Sequence, residues 1–124
     1  MKDIVKMHLT ENVLHVRYLV PKIDLDVARA AVALRRDRYK GKDYLVLVDS
    51  KGLTSMTHDA RQYLSLPAAY AGVKAAAFVV RSQLTVVMAN FYLRMGNFPI
   101  PTKLFSSKTA ATRWLLQHND KDSS

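Results

Sequence analysis

The most constraining feature of this sequence is a short apolar run without any polar residue, at positions 45–48, that ends at Asp49. Successive residues of a strand point to opposite faces of the sheet, so this strand must be apolar on both faces. Strands of that kind occur in parallel sheets whose two faces are covered by helices. The run therefore predicts the central strand of an α/β domain, and ligands of such domains bind beyond the carboxyl ends of the strands.

Two segments of alternating apolar and polar residues, at 4–9 and 14–20, precede this run and predict two half-buried strands. Glu11-Asn12 provides a tight turn between them, because Asn tolerates a positive φ. The antiparallel register is then set by the need to place the apolar residues of both strands on one face. It pairs Leu9 with Leu14, Met7 with Val16, His8 with His15 and Lys6 with Arg17.

Helical and strand patterns alternate along the rest of the chain. The predicted elements are a helix at 25–39 capped by Asp24, a helix at 57–66, a strand at 73–80, a helix at 82–95, a strand at 103–105 and a helix from 108. We predict one α/β domain at residues 1–118 with the order ββαβαβαβα, followed by a polar C-terminal tail at 119–124. Its sheet is mixed, mainly parallel and five-stranded, with an N-terminal antiparallel hairpin and four helices.

Apolar residues at helical spacing predict which side of two helices faces the core. The predicted inner stripes contain Val27, Ala30, Ala31 and Leu34 in the first helix, and Ala110, Ala111, Trp114 and Leu115 in the last.

The composition excludes several classes of function. The chain has no Cys, so it has neither thiol catalysis nor a thiolate metal site. No apolar run approaches the ~20 residues of a membrane span, and we expect a cytoplasmic protein. The net charge of +9 predicts weak affinity for polyanions. The densest basic cluster is interpreted as a solvated helix end, with a nucleic-acid surface as the alternative, and contains Arg35, Arg36, Arg38, Lys40 and Lys42.

The loop after the central strand is rich in hydroxyl groups and contains the candidate switch residues Asp49, Ser50, Thr54, Ser55 and Thr57. Two interpretations apply to it. Ser and Thr before a helix cap its free N–H groups, which accounts for Thr57. Alternatively, one of the hydroxyls accepts a phosphate, and Asp49 orients a ligand at the end of the strand.

Catalytic patterns are weak throughout the sequence. His58 lies beside Ser55 and Asp59, but residues so close in the chain rarely converge into a triad, and the sequence has no G-x-S-x-G elbow. The opposed His8 and His15 lack the third ligand that a metal site usually requires. We therefore expect a protein that is not an enzyme and has neither a metal nor another cofactor.

Two further segments suggest contacts with other molecules. The helix at 82–95 is apolar nearly all round, which indicates burial or a partner surface such as a homodimer interface. Its candidate interface residues are Leu84, Val87, Met88, Phe91 and Met95. The connector that follows, at 97–102, either steers the chain into the last strand or forms the lip of a crevice for a small apolar or acyl ligand. The candidate crevice residues are Arg81, Ser82, Phe98, Ile100 and Phe105.

The element order, together with the segments VLVDSKGLTSMT at 46–57 and ANFYLRMGNFPIPTKLFSSKTAATRWL at 89–115, resembles the STAS-like domains of bacteria. These are similar to anti-sigma-factor antagonists and to CRAL-TRIO-type lipid-binding domains. In the antagonists, the loop after the central strand carries an Asp-Ser-Ser-Gly motif whose serine is phosphorylated by a partner kinase. Here the corresponding residues, 53–58, read LTSMTH and lack the Asp and Gly of the motif, and Ser55 and Thr57 are the nearest hydroxyls. The resemblance implies a non-catalytic regulatory module with a protein or kinase partner.

Overall fold

The computed structural model of this protein describes residues 4–80 and 100–123, with side-chain environments as far as residue 118. Within these ranges three α-helices are present, and the predicted helix at 82–95 lies outside them. The strands are β1 (Val5–Thr10), β2 (Val13–Tyr18), β3 (Lys22–Ile23), β4 (Tyr44–Asp49), β5 (Ser55–Met56), β6 (Val73–Val79) and β7 (Thr102–Phe105). The helices are α1 (Leu25–Arg38), α2 (His58–Leu64) and α3 (Lys108–Ser123), and a 3₁₀ turn spans Pro67–Tyr70.

The main sheet has five strands in the order β1-β2-β4-β6-β7. β1 and β2 are antiparallel, and every other neighbouring pair is parallel. This confirms the predicted mixed five-stranded sheet with an N-terminal hairpin. A second sheet, in which β3 pairs with β5, was not predicted, because strands of two residues carry no readable alternation.

The hairpin has the register that its apolar residues require. Leu9 pairs with Leu14 and His8 with His15. Both turn residues have positive φ, 52° at Glu11 and 65° at Asn12, which is the conformation that suits the twist of a two-residue hairpin loop.

Helices cover both faces of the central strand β4, as the apolar run predicted. On one face, Val46 and Val48 pack with Ala31 of α1. On the other, Leu45 and Leu47 pack with residues of α3. A third cluster, which joins α1 to α2, contains Ile23, Ala28, Leu53, Met56, Ala60 and Val80.

The buried stripe of α3 is the predicted one, with Ala111 and Leu115 fully buried. The stripe of α1 was predicted only in part, since its buried residues are Ala28, Ala31, Val32 and Arg35. Ala30, which was predicted to face the core, is exposed. The sequence of an alanine-rich helix says little about which side faces the core. In α1 the long side chain of Arg35 occupies a buried position that the apolar pattern did not predict.

Candidate functional site

The first two residues of the loop at the carboxyl end of β4 both have hydrogen-bond partners. Ser50 is buried, and its hydroxyl donates a hydrogen bond to the carbonyl of Val79, at the end of the neighbouring strand β6. A carboxylate oxygen of Asp49 accepts a hydrogen bond of 3.0 Å from the backbone N–H of Lys51. Ser50 therefore cannot change partners without loosening the end of β4 from β6.

The middle of the loop is attached to the segment before β3. The exposed Thr54 donates both its backbone N–H, at 2.7 Å, and its hydroxyl, at 3.0 Å, to the carbonyl of Pro21. The backbone N–H of Ser55 donates to the same carbonyl at 3.3 Å. Thr54 is thus the exposed hydroxyl in the set of predicted switch residues, and its proton takes part in a contact across the loop.

The last two candidates have different environments. Thr57 caps α2, because its side-chain oxygen accepts a hydrogen bond of 3.2 Å from the backbone N–H of Ala60. This confirms the capping interpretation of Thr57. Ser55 is half-buried within β5. The accessible part of the loop therefore consists of Lys51, Gly52 and Thr54, followed by the exposed His58 and Asp59 of α2.

The candidate crevice is only partly within the described ranges. Ile100 packs against the apolar cluster under α1, whereas Phe105 packs against the cluster under α3, 5.6 Å from the ring of Trp114. The structure thus places these two residues against opposite faces of the sheet. The other candidate crevice residues, Arg81, Ser82 and Phe98, and all five candidate interface residues, Leu84, Val87, Met88, Phe91 and Met95, lie outside the described residues.

The rings of His8 and His15 stack, with centroids 4.7 Å apart and an angle of 7° between their planes. His8 is exposed, and His15 is half-buried, with an Nδ1 that has no hydrogen-bond partner among residues 4–80 and 100–118. Burial lowers the pKa of His15, and the nearby His8 and Lys108 lower it further. Within the same ranges no three potential metal ligands cluster.

The low pKa of His15 predicts a loss of stability in acid. The unfolded chain has the ordinary His pKa of 6.5 and the folded protein a lower one, so as pH falls below 6.5 the unfolded state takes up the proton first. We expect the free energy of unfolding, measured by urea titration, to fall between about pH 7.5 and about pH 5.5. The decline should be smaller in His15→Gln, whereas the same change at the exposed His58 should leave it as in wild type. An equal decline in all three proteins would contradict this assignment.

The residues of the basic cluster in α1 and the following turn differ in their exposure to solvent. Arg36, Arg38, Lys40 and Lys42 are exposed, as a solvated helix end requires. Two acidic residues, Asp37 and Asp43, line the same groove as Arg36, Lys40 and Lys42, which weakens its attraction for a polyanion. Arg35 departs from the prediction, because it is buried, with 8% of its surface exposed.

Arg35 is the residue that the sequence interpretation missed. One terminal nitrogen of its guanidinium group donates hydrogen bonds to the carbonyls of Ala69, at 2.8 Å, and Ala71, at 3.2 Å. The spacing of Ala28, Ala31, Val32 and Arg35 along α1 is that of one helical stripe, and this was the signal that the sequence offered. This signal was missed because Arg35 lies next to Arg36 and Arg38, and the three together were interpreted as a solvated helix end.

A known protein family matches most of this chain. The family described as "Domain of unknown function (DUF7793)" matches residues 7–119. The chain belongs to the DUF7793 family. Among curated proteins, none matches it.

The solved structures that resemble the DUF7793 chain include the following two. One is an uncharacterized protein of the DUF3478 family from Shewanella loihica PV-4, described as having a SpoIIAA-like fold; it has 20% sequence identity and a TM-score of 0.60, and the match covers 90% of this chain and 91% of that one. The other, a protein of unknown function from Arthrobacter sp. FB24, has 24% identity and a TM-score of 0.34 over 90% of this chain and 92% of that one.

The first of these structures shows that the DUF7793 chain has a SpoIIAA-like, that is, STAS-like, α/β fold. This confirms the fold that the resemblance implied, whereas its CRAL-TRIO part finds no support. Among the described residues, no helix is both long enough and apolar enough to cross a membrane.

Proposed function

We propose that this DUF7793 protein is a non-catalytic regulatory module that binds a protein partner through the exposed part of the β4–α2 loop, residues 49–57. The proposal rests on the hydrogen bonds that fix the conformation of this loop. Ser50 fixes its start to β6 and Thr54 fixes its middle to Pro21, while Lys51, Gly52 and Thr54 remain exposed. A loop that is fixed at its start and in its middle presents one conformation to a partner, which reduces the entropy lost on binding.

The position of the loop supports the same function. It follows the central strand of a SpoIIAA-like fold, as the phosphorylated loop does in the anti-sigma-factor antagonists that the sequence resembles. Homodimer formation in the cytoplasm belongs to the same proposal. Its candidate surfaces are the N-terminal hairpin, in which β1 is an edge strand, and the residues 84–95. A monomer in light scattering at high concentration would exclude the dimer.

Within the loop, the environments of the hydroxyls favour Thr54 as the phosphoacceptor over the sequence candidates Ser55 and Thr57. Thr54 is exposed, whereas Ser55 is half-buried and the oxygen of Thr57 is engaged in capping α2. Phosphorylation replaces the hydroxyl proton of Thr54, so the side-chain hydrogen bond to the carbonyl of Pro21 is lost and a phosphate oxygen faces the carbonyl oxygen. The backbone hydrogen bonds of Thr54 and Ser55 to the same carbonyl remain, so the modification weakens the attachment of the middle of the loop to Pro21.

This switch predicts different effects for two substitutions at one position. Thr54→Asp introduces charge and should reduce partner binding at least tenfold, or about 1.4 kcal/mol, in pull-down titrations. Thr54→Val removes the hydroxyl without adding charge, and it should have a smaller effect in the same direction. Ser55→Asp and Thr57→Asp test the two sequence candidates in the same assay. Unchanged binding in all the aspartate variants would refute the switch.

A further inference from the structure

The strand β1 lies at one edge of the main sheet, with β2 on one side and no strand on the other among residues 4–80 and 100–123. The N–H of Leu19 donates a hydrogen bond of 2.7 Å to the carbonyl of Ile4, just before β1. In an antiparallel ladder, hydrogen-bonded pairs alternate with pairs that are not hydrogen-bonded. The backbone N–H and C=O groups of Val5, Met7 and Leu9 therefore point away from β2, to the outer edge of the sheet.

A groove of about 780 Å³ lies along this edge, and we name it the β1 groove. On the α1 side of the strand its wall is mainly apolar, with the exposed Ala30 and the half-buried Leu34. The exposed Arg38 lines the same side. Ala30 belongs to the apolar stripe that the sequence predicted to face the core, and the described residues leave it exposed. A strand added beside β1 would cover this part of α1.

The other side of the β1 groove is basic. Since Val5, Met7 and Leu9 pack under α1, the alternate residues of β1 lie on the opposite face of the sheet.

Three exposed cations line the groove on that face. Lys6 of β1 pairs with Arg17 of β2, and Lys108 stands at the start of α3. Asp49 is the one carboxylate among the described residues that line the groove, and one of its oxygens accepts the N–H of Lys51. The face therefore has an excess of positive charge, which favours an anionic partner.

We propose that the β1 groove binds an extended segment of a partner protein in which acidic and apolar residues alternate. The segment adds a strand to the main sheet through the outward-pointing backbone groups of Val5, Met7 and Leu9. Residues directly opposite each other on neighbouring strands share a face, so its apolar side chains lie toward α1 and its acidic side chains toward Lys6. β1 has six residues, and a segment of about the same length spans it.

A second copy of this chain fits the β1 groove less well. Pairing of β1 with β1 of another copy about a two-fold axis would place the basic faces of both strands side by side. Like charges directly opposite each other destabilise a sheet, and charged edge strands keep copies of a protein apart for this reason. The other candidate dimer surface, residues 84–95, is unaffected by this argument.

The β1 groove is separate from the proposed contact at the β4–α2 loop. The exposed loop residues Lys51, Gly52 and Thr54 do not line it. Lys51→Glu should therefore leave binding at the groove unchanged, so that failure of one proposal is distinguishable from failure of the other.

The test uses two synthetic heptapeptides with blocked ends, one of alternating Val and Glu and one of alternating Val and Lys. In an NMR titration of the whole chain, the Val/Glu peptide should bind saturably. The Val/Lys peptide should bind at least tenfold more weakly, because like charges then face Lys6 and Arg17. Equal binding of the two peptides would overturn the proposal, as would no saturable binding of the Val/Glu peptide.

Amide hydrogen exchange distinguishes an added strand from a contact through charge alone. With saturating Val/Glu peptide, the amides of Val5, Met7 and Leu9 should exchange at least tenfold more slowly, because they gain hydrogen bonds. The amides of Lys6 and His8 already face β2 and should change less. A uniform change along β1 would overturn the proposal. So would slow exchange of the three outward amides without peptide, since another part of the chain, or a second copy if the effect grows with protein concentration, would then occupy the edge.

Variants locate the site. Met7→Pro removes an outward N–H and no hydrogen bond to β2, and proline is tolerated on an edge strand, so this variant should fold and bind the Val/Glu peptide at least tenfold more weakly. Lys6→Glu should weaken binding several-fold, and it tests the site even if Met7→Pro does not fold. Arg36→Glu makes the same kind of charge change at an exposed residue outside the groove and should bind as the wild type does. Normal binding by Lys6→Glu or by a folded Met7→Pro would overturn the proposal, as would an equal loss in Arg36→Glu.

Discussion

Leu45→Ala is expected to lower the free energy of unfolding by about 3–4 kcal/mol. Leu45 is the first residue of the apolar run in β4, its exposed fraction is 0%, and it packs against α3 together with Ala111 and Leu115. The substitution removes buried methyl groups at a site where two parallel neighbours, β2 and β6, prevent the backbone from closing the space. Most of the cavity penalty should therefore be observed.

The matched control is Leu66→Ala. Leu66 is 51% exposed and precedes the 3₁₀ turn, so the same chemical change should cost about 0.5 kcal/mol or less. The measurement is chemical denaturation. The slope of the free energy of unfolding against denaturant concentration should be the same in both variants as in wild type. Equal losses in the two variants would show that β4 is not the centre of the core.

Gly72→Ala is expected to have the next largest effect, about 2–3 kcal/mol. Gly72 has a φ of +83°, and a Cβ placed there would lie 3.0 Å from the backbone carbonyl oxygen of Lys42. Its own carbonyl accepts a hydrogen bond of 2.9 Å from the N–H of Tyr44, at the start of β4. The chain cannot move away from the clash without disturbing the first residue of the central strand.

Gly52→Ala separates the cost of a left-handed backbone from the cost of the contact with Lys42. Gly52 has a φ of +91°, but a Cβ there would meet no atom within 4 Å. It should therefore show only the cost of a left-handed alanine, about 1–2 kcal/mol, in the same denaturation experiment. If Gly52→Ala destabilises the protein as much as Gly72→Ala does, the contact with Lys42 makes no contribution.

The parts of the fold that were predictable from the sequence are those in which one physical requirement dominates. The apolar run at 45–48 has only one environment available, a strand covered on both faces, and that is where it lies. The pairing of His8 with His15 followed from the need to bury Leu9 and Leu14 on the same side, because a shift of one residue would expose them.

The parts that were missed depend on contacts between distant segments. The burial of Arg35 requires the carbonyls of Ala69 and Ala71, which lie more than thirty residues further along the chain. The attachment of Thr54 to the carbonyl of Pro21 likewise joins the loop to a segment from before α1. No local pattern contains these partners, so the sequence could not predict either contact.

The most direct test of the proposed function is a quantitative affinity capture with the loop altered. Lys51→Glu reverses an exposed charge at the loop, and Arg113→Glu makes the same kind of change on the exposed side of α3, which packs on the opposite face of the sheet from α1. The account predicts that wild type and Arg113→Glu retain the same protein partner and that Lys51→Glu loses it at least tenfold, about 1.4 kcal/mol. Equal capture by all three proteins, or loss only in Arg113→Glu, would contradict a partner site at the β4–α2 loop.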